Sequence, residues 1–164
     1  MAVVRRGTAA SGAAMRAPRR AAALKLGRLG NHIGYAVRIA QLAVFEDVNA
    51  LLAPQGATTA RFSTLCLVRD NPGVNQTVLA DALRTETSRM VLLIDELERR
   101  GWLVRLASTM DRRARAIYLT AEGRRKLKIL KRLVARHERA MIRRLRGGDK
   151  AVLLRLLRNL AKSL

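Results

Sequence analysis

Arg112, Arg113 and Arg115 crowd into one short stretch behind a single carboxylate, Asp111. Some twenty residues upstream, Thr87, Ser88 and Arg89 stand in a row just after Arg84. Hydroxyls and guanidiniums without a general base beside them are poor catalysts, but they are the donors that grip phosphate oxygens and base edges. An arginine carried on a turn suits the minor groove of a duplex, where a narrow groove concentrates negative potential. Arg113 is the candidate for insertion, oriented by an ion pair with Asp111. Arg112 and Arg115 flank it, and Arg84 is placed to clamp the backbone. Enzyme chemistry finds no comparable set. The chain has no glycine-rich phosphate loop, no nucleophile elbow and no ligand set at metal spacing, and its two histidines, His32 and His137, are about a hundred residues apart. The expectation is a binding protein with no cofactor and no metal.

Charge points the same way. Of 164 residues, 33 are Lys or Arg and 12 are Asp or Glu, a formal net charge of +21. Such an excess governs partners rather than fold, and a nucleic acid is the leading one. The few aromatic residues argue against a stacking platform for single strands or RNA. One cysteine, Cys66, excludes a disulfide scaffold, so a reducing compartment, the cytoplasm, is expected. No apolar run is long enough to cross a membrane, and no membrane partner is expected. Residues 1–27 hold six basic residues, no acidic ones and no helical stripe, and read as a disordered basic arm, either a contact to DNA backbone or a dispensable tail.

These donors need scaffolding. Ile33, Val37, Ala40, Val44, Val48 and Leu51 recur at helical spacing and predict a helix from Leu29 to Leu52, stopped by Pro54 and Gly56. Thr58 or Thr59 caps a second helix with Phe62, Leu65, Cys66 and Val68 on its inner face. Asn75 caps a short third, and a fourth runs from near Thr85 to Arg100, where Gly101 ends it. Two short helices joined by a tight turn, the second opening with Thr87, Ser88 and Arg89, outline a helix-turn-helix. Trp102 to Ala107 and Ala116 to Leu119 then read as a hairpin, with the polar stretch Ser108 to Arg115 as its tip. Thr120 caps a helix reaching Arg146. After Gly147 and Gly148 a last helix begins at Asp149 and presents Val152, Leu153, Leu156, Leu157, Leu160 and Leu164 on one face. The fold class is mainly α with a small β-hairpin wing, a winged helix-turn-helix flanked by N- and C-terminal helices.

The run Asp111-Arg112-Arg113-Ala114-Arg115-Ala116-Ile117-Tyr118-Leu119-Thr120-Ala121-Glu122-Gly123 resembles the wing signature of the MarR family of winged-helix transcription regulators. In that signature an Asp-x-Arg unit precedes an alternating strand ending Leu-Thr-x-x-Gly. Leu79, Ala80 and Leu83, with Asp95, Leu97, Glu98, Arg100 and Gly101, also fit the family's recognition-helix pattern. One departure is visible: Val91 and Leu92 stand where the family often has small polar or basic residues. Base reading is therefore expected to lean on Thr87, Ser88 and Arg89, with apolar side chains available for thymine methyls.

The resemblance implies one domain over residues 28–164. Within it 58–120 form the winged helix-turn-helix, while 28–53 and 121–164 supply dimerisation helices. It implies a homodimer on a pseudo-palindromic duplex operator, with half-sites about one DNA turn apart. Many members hold an aromatic anion between dimer helices and winged helix. His32, Tyr35 and Arg38, one turn apart on the first helix, are candidate effector-binding residues, with ordinary surface or packing residues as the other reading. The segment Gly34 to Phe45 is similar to regulators of aromatic-acid catabolism, some of which respond to CoA thioesters, so a small aromatic acid or its CoA thioester is the expected effector. Between Ala121 and Arg146 stand eleven basic and two acidic residues, read as a solvated face, as added attraction for DNA backbone, or as the lining for an anionic ligand. Cys66 reads as inert. The competing functional class is a non-sensing architectural or general nucleic-acid-binding protein.

Overall fold

A computed structural model describes residues 24–107, 115–145 and 149–162. The arm up to residue 23, the wing tip with Asp111, Arg112 and Arg113, and Gly147 and Gly148 lie outside the described residues. The chain divides between Val37 and Arg38 into two units.

The described part of the first unit opens with a 3-10 turn, Gly27–Asn31, and the extended His32 (ψ 127°). The first helix, α1 (Ile33–Leu52), therefore starts one turn later than the apolar spacing predicts. Gly27, at φ 53°, and the extended His32 break the helix that Leu29 would have begun.

In the second unit α1 runs on to Leu52, where Pro54 enters a single 3-10 turn and Gly56, at φ 65°, reverses the chain. Thr58 caps α2 (Thr59–Asp70) through its hydroxyl, which accepts the Arg61 N–H. Asn75 does the same for α3 (Gln76–Ala82) at 2.9 Å from the Val78 nitrogen. α4 (Thr87–Arg99) starts two residues after the expected Thr85. Thr85 still belongs to the end of α3, because its N–H donates to the Ala80 carbonyl at 3.0 Å, and Glu86 is extended.

β1 (Leu103–Ala107) and β2 (Arg115–Leu119) pair antiparallel from Leu103 opposite Leu119 to Ala107 opposite Arg115. Val74, on the turn between α2 and α3, bonds to Ile117 and adds a third short rung to this sheet. Thr120 then caps α5 (Ala121–Arg144), which ends two residues before the expected Arg146 because Leu145 turns extended. α6 (Lys150–Lys162) completes the chain. No helix among the described residues is long and apolar enough to cross a membrane.

The core is shared by every element except α6: Val48 and Leu52 from α1, Leu65 and Val68 from α2, Leu79 from α3, Met90, Ile94 and Leu97 from α4, Leu103 and Ile117 from the hairpin, Leu127 and Leu130 from α5. Each such side chain contributes about 1.5–3 kcal/mol by leaving water. Two surfaces stay outside this core. α6 buries none of its residues, and Ile39, Leu42 and Phe45 of α1 stay about half exposed.

The Leu-Thr-x-x-Gly end of the hairpin has a steric reason. The Thr120 hydroxyl accepts the Gly123 N–H at 2.9 Å and donates to the Gly101 carbonyl at 2.5 Å, while the Thr120 N–H donates to the Trp102 carbonyl. This draws α5 so close to β1 that a Cβ on residue 123 would lie 1.9 Å from the Trp102 oxygen. Only glycine fits. Trp102 itself is buried between the cations of Arg100 and Lys126, 5.5 and 5.2 Å from its ring centre.

Candidate nucleic-acid interface

α4 buries Met90, Ile94 and Leu97 and turns its first turn to solvent. Thr87, Ser88 and Arg89 are all exposed, as expected of residues that read a duplex, and Leu92 projects beside them at 69% exposure. The helix start also carries a carboxylate. Glu86 occupies the cap position without capping any N–H and lies 3.8 Å from the Arg89 guanidinium. Its charge opposes an incoming phosphate at the helix end whose dipole would attract one.

Arg84, exposed on the link between α3 and α4, has φ 50°. A left-handed arginine costs about 1 kcal/mol relative to glycine, so the link keeps a cation where backbone geometry alone favours glycine. Arg84 and Arg89 both line a cavity of about 540 Å³ whose other walls include Phe45 and Asn49 of α1, Ser63 of α2 and Leu93 of α4. Asn49 is fixed there, its Oδ1 accepting the Thr59 N–H and hydroxyl at 2.8 and 2.9 Å.

The wing strand is tied to α4 by Arg105. Its Nη2 lies 2.5 Å from Asp95, its Nη1 lies 2.6 Å from Glu98, and its backbone N–H donates to Glu98 as well. On the other side of α4, Glu96 accepts from Arg61 of α2 at 2.6 Å and from Arg100 at 2.8 Å. The Arg61 hydrogen bonds, chiefly, hold the Glu96 carboxyl below the ordinary carboxylate range. Arg115, expected at the tip, is the first residue of β2 and exposed. Asp111, Arg112 and Arg113 fall outside the described residues.

The expected effector residues are less concentrated. His32 is exposed and extended just before α1, Tyr35 is half-buried in its first turn, and Arg38 is exposed. Arg38, in the second unit with the cavity beside α4, is not among the residues lining it. Sequence reasoning missed that cavity, because Phe45, Asn49 and Ser63 are distant in sequence and carry no charge. It also missed Arg105, although Asp95 and Glu98, one helical turn apart, form a carboxylate pair that called for a cation. Cys66 is half-buried, and burial pushes its thiol above the ordinary range despite nearby Lys131 and Arg69.

Residues 57–114 match the MarR family. The transcriptional repressor CouR bound to a 23-mer DNA duplex superposes with a TM-score of 0.80 at 42% identity, covering 85% of this chain and 99% of that one. CouR bound to p-coumaroyl-CoA gives a TM-score of 0.77 at 38% identity, covering 87% of this chain and 100% of the other. A putative transcriptional regulatory protein for the hcr operon of Thauera aromatica is 29% identical over 135 residues, 82% of this chain and 81% of its own length.

Proposed function

The chain belongs to the MarR family of winged-helix transcription regulators, and from that premise we propose that it is a homodimeric, sequence-specific repressor released from duplex DNA by a small aromatic acid or its CoA thioester. The observation that carries the reading is the joining of α4 to the wing strand by Arg105, with Thr87, Ser88 and Arg89 left exposed toward DNA. One guanidinium shared by two carboxylates holds reading helix and wing strand as one body, so base contacts from one and groove contacts from the other keep a fixed spacing. In this reading Thr87, Ser88 and Arg89 meet base edges and Arg84 the backbone. Arg113 enters the minor groove, oriented by Asp111, with Arg112 and Arg115 beside it. The domain spans residues 28–164, with 1–27 as a basic arm, and the protein acts in the cytoplasm at the nucleoid.

Dimerisation falls to α1, α5 and α6. α6 buries nothing within one chain, with Leu156 58% and Leu157 45% exposed, and an apolar helix face of this kind is covered by association. The effector fits the cavity bounded by Phe45, Asn49, Arg84 and Arg89. There an aromatic ring meets an apolar wall, and the carboxylate of a free acid or the carbonyl of its thioester meets the same two arginines that face DNA. Occupation then draws Arg84 away from the DNA backbone and Arg89 away from base edges. His32, Tyr35 and Arg38 at the start of α1 stand as the other effector-binding candidates. The p-coumaroyl-CoA of the CouR complex is of the proposed effector class.

The test is a duplex titration at about 0.15 M salt with DNA from upstream of the protein's own gene against scrambled DNA, repeated with aromatic acids and their CoA thioesters. A specific site keeps an affinity gap of about 10³ or more over random duplex. Equal binding to both duplexes, indifferent to every compound, would favour the architectural protein that a charge of +21 also suits.

A further inference from the structure

A second cationic concavity is lined by no residue of α4. It has a volume of about 620 Å³ and is lined by Arg69 at the end of α2, Leu119 of β2, and Arg124, Leu127, Lys128, Lys131, Arg132, Ala135 and Arg139 of α5. It shares no lining residue with the cavity beside the reading helix. The α5 positions recur at three- and four-residue steps and so occupy one face, spanning about 22 Å from Arg124 to Arg139 at 1.5 Å per residue. No carboxylate lines it. Among the described residues Lys128, Lys131, Arg132 and Arg139 form no ion pair, while Arg124 donates to the Leu119 carbonyl and Arg69 pairs with Asp70 at the rim.

Four unpaired cations held on one face repel one another, and a multivalent anion relieves that repulsion more fully than monovalent counterions do. The floor of Leu119, Leu127 and Ala135 is apolar, which phosphate alone does not require. Duplex backbone is gripped by exposed polar donors, whereas a concave site with an apolar floor and charged walls is the form of a small-molecule pocket.

We propose that this α5 groove binds a nucleotide-type polyphosphate, its phosphates on Lys128, Lys131, Arg132 and Arg139 and its ring or acyl-carrier portion on Leu119, Leu127 and Ala135. The inference deepens the reading of the chain as a ligand-released regulator and rests on it: the groove supplies the phosphate-binding half of effector recognition. Coenzyme A and a nucleoside triphosphate share the chemistry.

The experiment is calorimetric titration of the full chain with unacylated CoA, ATP and inorganic tripolyphosphate, for the wild type and a Lys128→Gln, Arg132→Gln variant. Both substituted side chains are exposed, so folding is expected to survive and is checked by thermal melting. CoA or ATP should bind the wild type and weaken at least tenfold in the variant, and the tighter of the two identifies the source. Tripolyphosphate binding as tightly as both nucleotides would overturn the role of the apolar floor, and with it the proposal. Unchanged nucleotide binding in the variant would overturn it too, as would loss of duplex binding with nucleotide retained, which assigns the groove to DNA backbone. Operator selectivity of the wild type, measured without nucleotide, reports on the repressor reading separately.

Discussion

Arg105 of the wing strand holds Glu98 of the reading helix at two points, backbone N–H to Oε1 at 3.0 Å and Nη1 to Oε2 at 2.6 Å. With Asp95 also paired, this one side chain, 17% exposed, bridges two carboxylates one helical turn apart. Arg105→Ala leaves both carboxylates facing one another and is expected to destabilise the fold by about 1–3 kcal/mol. Duplex affinity should fall further than stability alone explains, because the wing loses its fixed distance from α4. Urea unfolding and fluorescence anisotropy on the same preparations separate the two effects, and an Arg105→Ala protein with unchanged operator affinity would remove the joint from the account.

Gly123→Ala places a methyl 1.9 Å from the Trp102 carbonyl oxygen, a backbone atom with no freedom to retreat. The expected loss is about 3 kcal/mol or more, at the upper end for overpacking. Gly101→Ala meets open space and is strained only by its φ of 68°, so it should cost about 1 kcal/mol. Equal midpoints for the two variants in thermal melts would contradict the close approach of α5 to β1.

Glu96 gives the fold an acid-side dependence. Its carboxyl, held down chiefly by the Arg61 hydrogen bonds, titrates lower in the folded chain than in the unfolded one. The stabilisation is therefore full above the unfolded carboxylate range and is lost as pH falls through the folded value. Glu96→Gln should flatten the melting temperature against pH below about pH 5 while lowering it at neutral pH. A variant that keeps the wild-type acid slope would assign the slope to other carboxylates.

Glu86→Gln removes the carboxylate beside Arg89 at the exposed start of α4. Duplex binding should tighten about 2–5-fold at low salt, with the gain fading as salt screens the charge. The check is anisotropy at two salt concentrations; a gain that persists at high salt would point to a geometric effect instead.

Arg113→Ala tests the wing tip. Operator binding should weaken by about 1–3 kcal/mol with the dimer intact by size-exclusion chromatography. Unchanged affinity would take the minor-groove contact out of the mechanism.

Much of this was legible in the sequence because local chemistry decides it. Thr58, Asn75 and Thr120 each cap the helix that follows, as their short oxygen-bearing side chains require. The hairpin stood out through the β-branched and aromatic residues around Trp102 and Ile117. Helix starts were less legible. α1 and α4 both begin late, because the extended His32 and the Thr85 hydrogen bond to Ala80 are decided by chain reversal, not apolar spacing. The reading residues of α4 were found from their own chemistry. The neighbouring cavity was not, since it assembles uncharged residues from α1 and α2 whose meeting is a property of packing.

The uncovered face of α6 separates two kinds of information in the chain. Leu65, Ile94, Leu97, Ile117 and Leu130 complete a core within a single copy and hold the reading head together. Leu156 and Leu157 contribute nothing to that core, and in the proposed dimer they help set which chain stands alongside. Substitutions in α6 can therefore change pairing while leaving each reading head intact. A duplicated gene needs to alter little more than this helix to stop exchanging subunits with its parent, and it would begin its independent history still reading the same operator half-site.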